Sequence, residues 1–154
     1  MDVSYYKSSS DSSCQLINSE DYQKLIGCLL YISVNSRPDI AASVSILAQK
    51  VSNPTQNDWN QLKQALKYLK ETSNIKLKLS RVDSKESDLI GYADANWAED
   101  RNSRKSNSGY AFFYNGGLIN WTCRKQSCVS LSSTEAEFIA LSDACQKQFG
   151  FSDY

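Results

Sequence analysis

The first eighteen residues show little periodicity, and six of them are serine. From Ser19 the pattern becomes helical. Tyr22, Leu25, Ile26, Leu29 and Leu30 recur at the spacing that gathers apolar side chains on one side of a helix. Asn35-Ser36-Arg37 breaks that run. Pro38 suits a first helical turn and Asp39 complements its positive N-terminal dipole. Ile40, Val44, Leu47, Ala48 and Val51 predict a second helix. Asn53-Pro54 reads as a turn, with Thr55 or Asn57 as the next cap. Trp59, Leu62, Leu66 and Leu69 stripe a third helix, and Lys63, Lys67 and Lys70 line its other side.

After Thr72-Ser73-Asn74 the period drops to two. Ile75, Leu77 and Leu79 alternate with Lys76, Lys78 and Ser80, which predicts a half-buried strand. The charged stretch 81–88 predicts a surface loop, and the main boundary is placed there. Leu89 to Ala93 then reads as a strand, Glu99 to Asn107 as a loop, and Ser108 to Tyr114 as an aromatic strand. Asn115-Gly116-Gly117 is a hairpin signal. Leu118 to Thr122 forms the returning strand, and Ser127 to Leu131 is a candidate extension of the sheet. Ser132-Ser133-Thr134-Glu135 predicts a helix start with an acid in its first turn. Ala136, Ile139, Ala140 and Ala144 give that helix a small-residue face to about Gln148, with a frayed tail from Gly150 to Tyr154.

Charge and composition narrow the chemistry. The 154 residues carry seventeen basic and seventeen acidic side chains. Residues 1–88 hold eleven and ten, and residues 89–154 hold six and seven, so no basic arm or acidic tail marks a partner. There is no histidine, which removes Ser-His-Asp and Cys-His catalysis and the commonest transition-metal ligand. Five cysteines with no C-x-x-C pair fit neither a disulfide framework nor a zinc site. No signal peptide and no membrane-length apolar stretch is found, so an intracellular protein without a membrane role is expected.

Two acids stand out. Asp94 sits at the end of the first sheet strand and Glu137 in the first turns of the helix that follows the hairpin. Brought together, they would offer oxygen ligands to a hard cation such as Mg²⁺. On spacing alone, a turn-capping Asp94 and a solvated Glu137 explain them more simply. The lysine stripe Lys63, Lys67 and Lys70 reads as a solvated face, with contact to a nucleic-acid backbone as the alternative. Arg101, Arg104 and Lys105 cluster in the loop after Asp94 and are the leading candidates for phosphate contact. Trp97 and Trp121 read as packing aromatics rather than base-stacking ones.

The motifs resemble a known family. Gly91-Tyr92-Ala93-Asp94-Ala95-Asn96-Trp97-Ala98, Asp100, Arg104-Lys105-Ser106, Ser108-Gly109-Tyr110, Ile119-Asn120-Trp121, Lys125-Gln126 and Ser132 to Leu141 resemble the opening of a copia-type retrotransposon RNase H. Tyr22, Ile26-Gly27, Leu30-Tyr31, Arg37-Pro38-Asp39-Ile40, Asn53-Pro54-Thr55, Trp59 and Tyr68-Leu69-Lys70 resemble the segment joining reverse transcriptase to RNase H in the same Pol polyprotein. The likeness spans about residues 20–148.

That resemblance implies an α+β chain: a flexible lead (1–18), a helical lead-in like the reverse-transcriptase thumb or connection (19–87), and a partial RNase H-like domain (88–154). The domain would be a truncated fold of three antiparallel strands and one helix. The implied ancestral chemistry is Mg²⁺-dependent hydrolysis of RNA in an RNA–DNA hybrid, with the rest of Pol as a possible partner. Asp94 matches the family's first metal-binding acid and Glu137 its second, while Glu135 matches first-turn dipole chemistry. The third and fourth acids fall beyond Tyr154. Asp143, six residues after Glu137, lies about 240° around the helix and is expected to point elsewhere. An incomplete site implies weak or absent metal binding and little activity from this chain alone. The alternative is a host-recruited, non-catalytic module that binds nucleic acid or protein.

Overall fold

The computed structural model describes residues 19–79, 89–100 and 103–152, the last four of these by backbone only. The lead 1–18, the charged loop 81–88 and Arg101 lie outside the described residues. The chain divides into two compact units, Met1–Lys76 and Leu77–Tyr154. Its architecture is α+β: a helical lead-in precedes a three-stranded antiparallel sheet and a final helix.

The first unit contains α1 (Ser19–Asn35), a 3₁₀ turn (Pro38–Ile40), α2 (Ala41–Ala48) and α3 (Gln56–Glu71). Its core is Tyr22, Ile26, Leu29, Ile40, Val44, Leu47 and Leu62, all buried. Tyr22, Ile26 and Leu29 are the i, i+4 and i+7 positions of one helix face. Leu30, a quarter-turn past Leu29, is exposed instead. The Tyr22 hydroxyl donates to the Leu47 carbonyl at 2.9 Å, which satisfies a polar atom inside an apolar core, and burial pushes its phenol well above the usual range. The second helix ends at Ala48, so its apolar stripe does not continue through Val51. The amides of Gln49, Lys50 and Val51 bond three residues back, in 3₁₀ fashion.

Thr55 is the cap of α3. Its Oγ1 accepts from the Asp58 amide at 3.2 Å, and its own amide donates to Asp58 Oδ2 at 2.8 Å. This reciprocal pair satisfies two amides that the helix leaves without partners. At the other end of α3, Arg37 reaches across from the turn after α1. Its Nη1 donates to the Thr72 carbonyl at 3.2 Å and its Nη2 to Thr72 Oγ1 at 2.6 Å.

Two expected strands do not form. Residues 75–79 form no regular element and pair with no strand among the described residues, with Ile75 51% and Leu79 66% exposed. Alternation alone does not make a strand without a neighbour to bond. Residues 127–131 form bends rather than continuing the sheet.

In the second unit, β1 (Leu89–Asn96), β2 (Asn107–Tyr114) and β3 (Gly117–Lys125) pair in the order β1-β2-β3. Asn115 and Gly116 turn the hairpin with φ of 49° and 76°, the positive pair that a two-residue hairpin turn matched to strand twist requires. Replacing both Gly116 and Gly117 by valine is expected to destabilise the sheet by about 2–3 kcal/mol. A branched Cβ is strained at positive φ, and a Cβ at Gly117 would meet Leu79 Cδ2 at 3.2 Å. Urea unfolding of the double variant checks this, and an unchanged midpoint would show that the turn does not hold the sheet.

Register sorts the side chains onto two faces. Gly91, Ala93 and Ala95 share one face with Phe112, Tyr110 and Ser108, and with Thr122 and Arg124 of β3. Phe112 lies so close over Gly91 that a Cβ there would sit 2.6 Å from its ring, so the glycine makes room for the aromatic. The final helix, α4 (Ser133–Ser152), packs on this face through buried Ala136, Ala140 and Ala144. It runs past Gln148 and through Gly150, four residues beyond the expected end. The other face carries Ile90, Tyr92, Asp94 and Asn96 with Phe113, Ala111, Gly109 and Asn107.

Candidate functional site

β1 places Asp94 opposite Gly109, on the face away from α4, where it is exposed. α4 places Glu137 one residue after buried Ala136, also exposed. No hydrogen bond or ion pair among the described residues joins either carboxylate to the other. Nor do the described residues gather three or more His, Cys, Asp or Glu side chains in a group suited to a metal ion.

The remaining acids of α4 have structural partners. Glu135 accepts from the Leu131 amide at 2.6 Å, and its own amide donates to Ser132 Oγ at 3.1 Å, so it belongs to the helix N-terminus. Asp143 pairs with Arg124 of β3 at 2.7 Å and ties α4 to the sheet. Nearby, burial raises the Tyr110 phenol, with Arg124 opposing and Asp143 reinforcing the shift.

The basic loop after β1 is tied down from within. The Arg104 amide donates to the Asp100 carbonyl at 2.7 Å, and the Ser103 amide to Asp100 Oδ1 at 3.2 Å. Lys125 of β3 pairs with the Asp100 carboxylate. The Lys105 ammonium donates to the Ser127 carbonyl. Arg104, with φ of 55°, remains exposed. Lys63, Lys67 and Lys70 are exposed on α3, and Lys67 stands 3.8 Å from Glu71. Trp97 donates its indole N–H to the Ser130 carbonyl at 3.0 Å, which makes it a packing residue that staples the loop to the segment before α4.

Two polar centres carried no separate signal in the sequence. Gln126, buried, donates through Nε2 to Ser108 Oγ at 2.7 Å and to the Ala136 carbonyl at 2.9 Å, while its Oε1 accepts from Ser130 Oγ at 2.7 Å. It joins β2, the segment before α4, and α4. In the helical unit, a cavity of about 320 Å³ opens between α2 and α3, with Asp39, Ser43, Gln61 and Tyr68 in its wall. The Tyr68 hydroxyl donates to Asp39 Oδ2 at 2.9 Å, so these two wall groups already satisfy each other.

The arrangement defines an α+β chain with one acid on an edge strand and another on the helix backing the sheet. The chain belongs to the copia-type retrotransposon Pol family. It is similar to the "Retrovirus-related Pol polyprotein from transposon TNT 1-94" of Nicotiana tabacum, 40% identical over 122 residues that cover 79% of this chain and 9% of the relative. It is similar also to the "Retrovirus-related Pol polyprotein from transposon RE2" of Arabidopsis thaliana, 35% identical over 127 residues, 82% of this chain and 8% of the relative. The chain thus spans under a tenth of either polyprotein. A relative of comparable length is the "Secreted RxLR effector protein 161" of Plasmopara viticola, 44% identical over 126 residues, 82% of this chain and 87% of the relative. No family model matches the chain, and no solved structure does. No described helix is long and apolar enough to cross a membrane.

Proposed function

We propose that this retroelement-derived chain descends from the part of Pol that hydrolyses RNA in RNA–DNA hybrids, and that it does not perform that hydrolysis by itself. The observation that carries the reading is the placement of Asp94 on the first strand of an open antiparallel sheet and of Glu137 on the helix that follows the third strand. In such chemistry two divalent ions would activate a water and stabilise the leaving oxygen. Two ions bring four positive charges and need about four carboxylates to offset and position them. Asp94 and Glu137, both exposed, are the two acids whose places in the fold match such chemistry, and two carboxylates fall short of what a two-metal centre needs.

The test is a labelled RNA–DNA hybrid incubated with the 154-residue chain at millimolar Mg²⁺. The hybrid is expected to remain intact. Cleavage that disappears in Asp94→Asn would overturn the inactive reading.

A second reading is favoured by the relative from Plasmopara viticola, of which this chain covers 87%. A stretch of this length therefore occurs as the greater part of a protein of its own, not only inside a polyprotein. In that reading the chain is a non-catalytic module that binds nucleic acid or protein, with Arg104 an exposed cation in the loop after β1. Retention on single-stranded or hybrid oligonucleotides that falls in Arg104→Glu would support a nucleic-acid partner. Retention that Arg104→Glu leaves unchanged would remove Arg104 from that role.

A further inference from the structure

The two edges of the sheet are built differently. At the β3 edge the register slips between Phe112, paired with Asn120, and Phe113, paired with Leu118, which leaves Ile119 as a bulge. The same edge ends in Arg124 and Lys125. Bulges and cationic side chains are the usual means by which an exposed strand is kept from pairing with another chain. β1 has neither. Its eight residues, Leu-Ile-Gly-Tyr-Ala-Asp-Ala-Asn, contain no proline, lysine or arginine, and its register with β2 is unbroken from Leu89 to Asn96. Its free side is bordered by Ile90 and Tyr92, 47% and 62% exposed. Among the described residues no strand pairs with that side.

We propose that β1 pairs antiparallel with β1 of a second copy of this chain, joining the two sheets into one of six strands. Three observations select a second copy as the occupant. The chain has a formal net charge of zero, so its copies do not repel one another at long range. β1 carries a single charge, Asp94, and pairing about a two-fold axis at Tyr92 sets Asp94 opposite Ile90 of the second copy rather than opposite its own equivalent. The interaction is also closed. Among the described residues each copy has one unprotected sheet edge, so a symmetric pair consumes both and leaves the bulged, cationic β3 edges outside. Pairing in this register keeps like faces together, with both α4 helices on one side and the Ile90–Tyr92 strips forming one apolar band on the other. The hydrogen bonds lie in the plane of the sheet and leave the Asp94 side chain uncovered. This inference does not depend on the hydrolytic ancestry proposed above.

Sedimentation velocity of the full chain across the micromolar range is expected to show a monomer–dimer equilibrium. Tyr92→Lys and Ile90→Lys, both at exposed positions, are each expected to weaken the dimer about tenfold or more by setting cations along the joint. Ile119→Lys on the β3 edge is expected to leave it unchanged. In the unsubstituted chain, hydrogen exchange of β1 amides is expected to slow as concentration rises, a readout that needs no variant to fold. A chain that stays monomeric throughout, or a dimer that persists in both β1 variants, would overturn the proposal.

Discussion

Arg37→Ala is expected to destabilise the helical unit by about 2–4 kcal/mol, more than any surface change in the same unit. Arg37 is 7% exposed. Its Nε donates to Asp39 Oδ1 at 2.9 Å and its Nη2 to Asp39 Oδ2 at 2.7 Å, a two-point grip on one carboxylate. The same guanidinium bonds the carbonyl and hydroxyl of Thr72 and stands 5.6 Å from the centre of the Tyr68 ring. One side chain therefore fastens the turn after α1 to the end of α3. Removing it leaves Asp39 without its counter-charge and the Thr72 carbonyl without that donor. The lower end of the range reflects the partial exposure of Asp39, whose charge water can still solvate. Lysine would restore the charge but not the forked geometry, so Arg37→Lys is expected to recover only part of the loss.

The same clamp sets an acid limit. The hydrogen bonds from Arg37, reinforced by the Tyr68 hydroxyl and opposed by burial, hold the Asp39 carboxyl below the usual carboxylate range. A folded pKa below the unfolded one stabilises the fold above the unfolded value, near about 4. That contribution is lost as pH falls through the depressed folded value. Urea midpoints of the unsubstituted chain should therefore fall below about pH 4 by more than those of Asp39→Asn. Identical acid profiles would show that the carboxylate is not coupled to folding.

In the sheet unit, Gln126→Ala is expected to cost about 2–3 kcal/mol. The side chain satisfies Ser108 Oγ, Ser130 Oγ and the Ala136 carbonyl in a buried setting, and alanine leaves all three without that partner. Gln126→Glu keeps the shape but cannot donate to both Ser108 and Ala136, so it should be comparably destabilising. Leu131→Ala, at a position 87% exposed a few residues on, should stay within about 0.5 kcal/mol of the unsubstituted chain. Comparable unfolding midpoints for Gln126→Ala and Leu131→Ala would show that the buried network does not secure α4.

These centres also mark where local pattern stops. The helices were legible because Tyr22, Ile26 and Leu29, or Leu62 within its stripe, repeat at a period that backbone geometry imposes. The hairpin was legible because Asn115-Gly116 supplies the positive φ that few other pairs accept. Ile75 to Leu79 alternated well yet formed no strand, since pairing depends on a neighbour that alternation does not specify. Arg37 and Asp39 sit two residues apart and looked like a helix break and a dipole acid. Their joint role appears only when α3 brings Thr72 and Tyr68 beside them, about thirty residues later in the chain. Gln126 gave no signal beyond its place in a motif, because its three partners come from separate segments. For the acids, it was the family resemblance that set Glu137 apart from Glu135, whose side chain accepts from the Leu131 amide at the helix start. Strand parity is fixed by register, and register is what assigns Asp94 to the face away from α4.

The proposed function requires that Asp94 and Glu137 do not share a metal ion in this chain. Mg²⁺ titration followed by amide NMR, in the unsubstituted chain and in Asp94→Asn, Glu137→Gln and the double variant, tests it most directly. The expected result is weak binding without saturation at millimolar Mg²⁺, with the effects of the two substitutions adding independently. Saturable binding well below millimolar Mg²⁺, lost to the same extent in either single variant and in the double variant, would mean that the two carboxylates share one ion and would contradict the account.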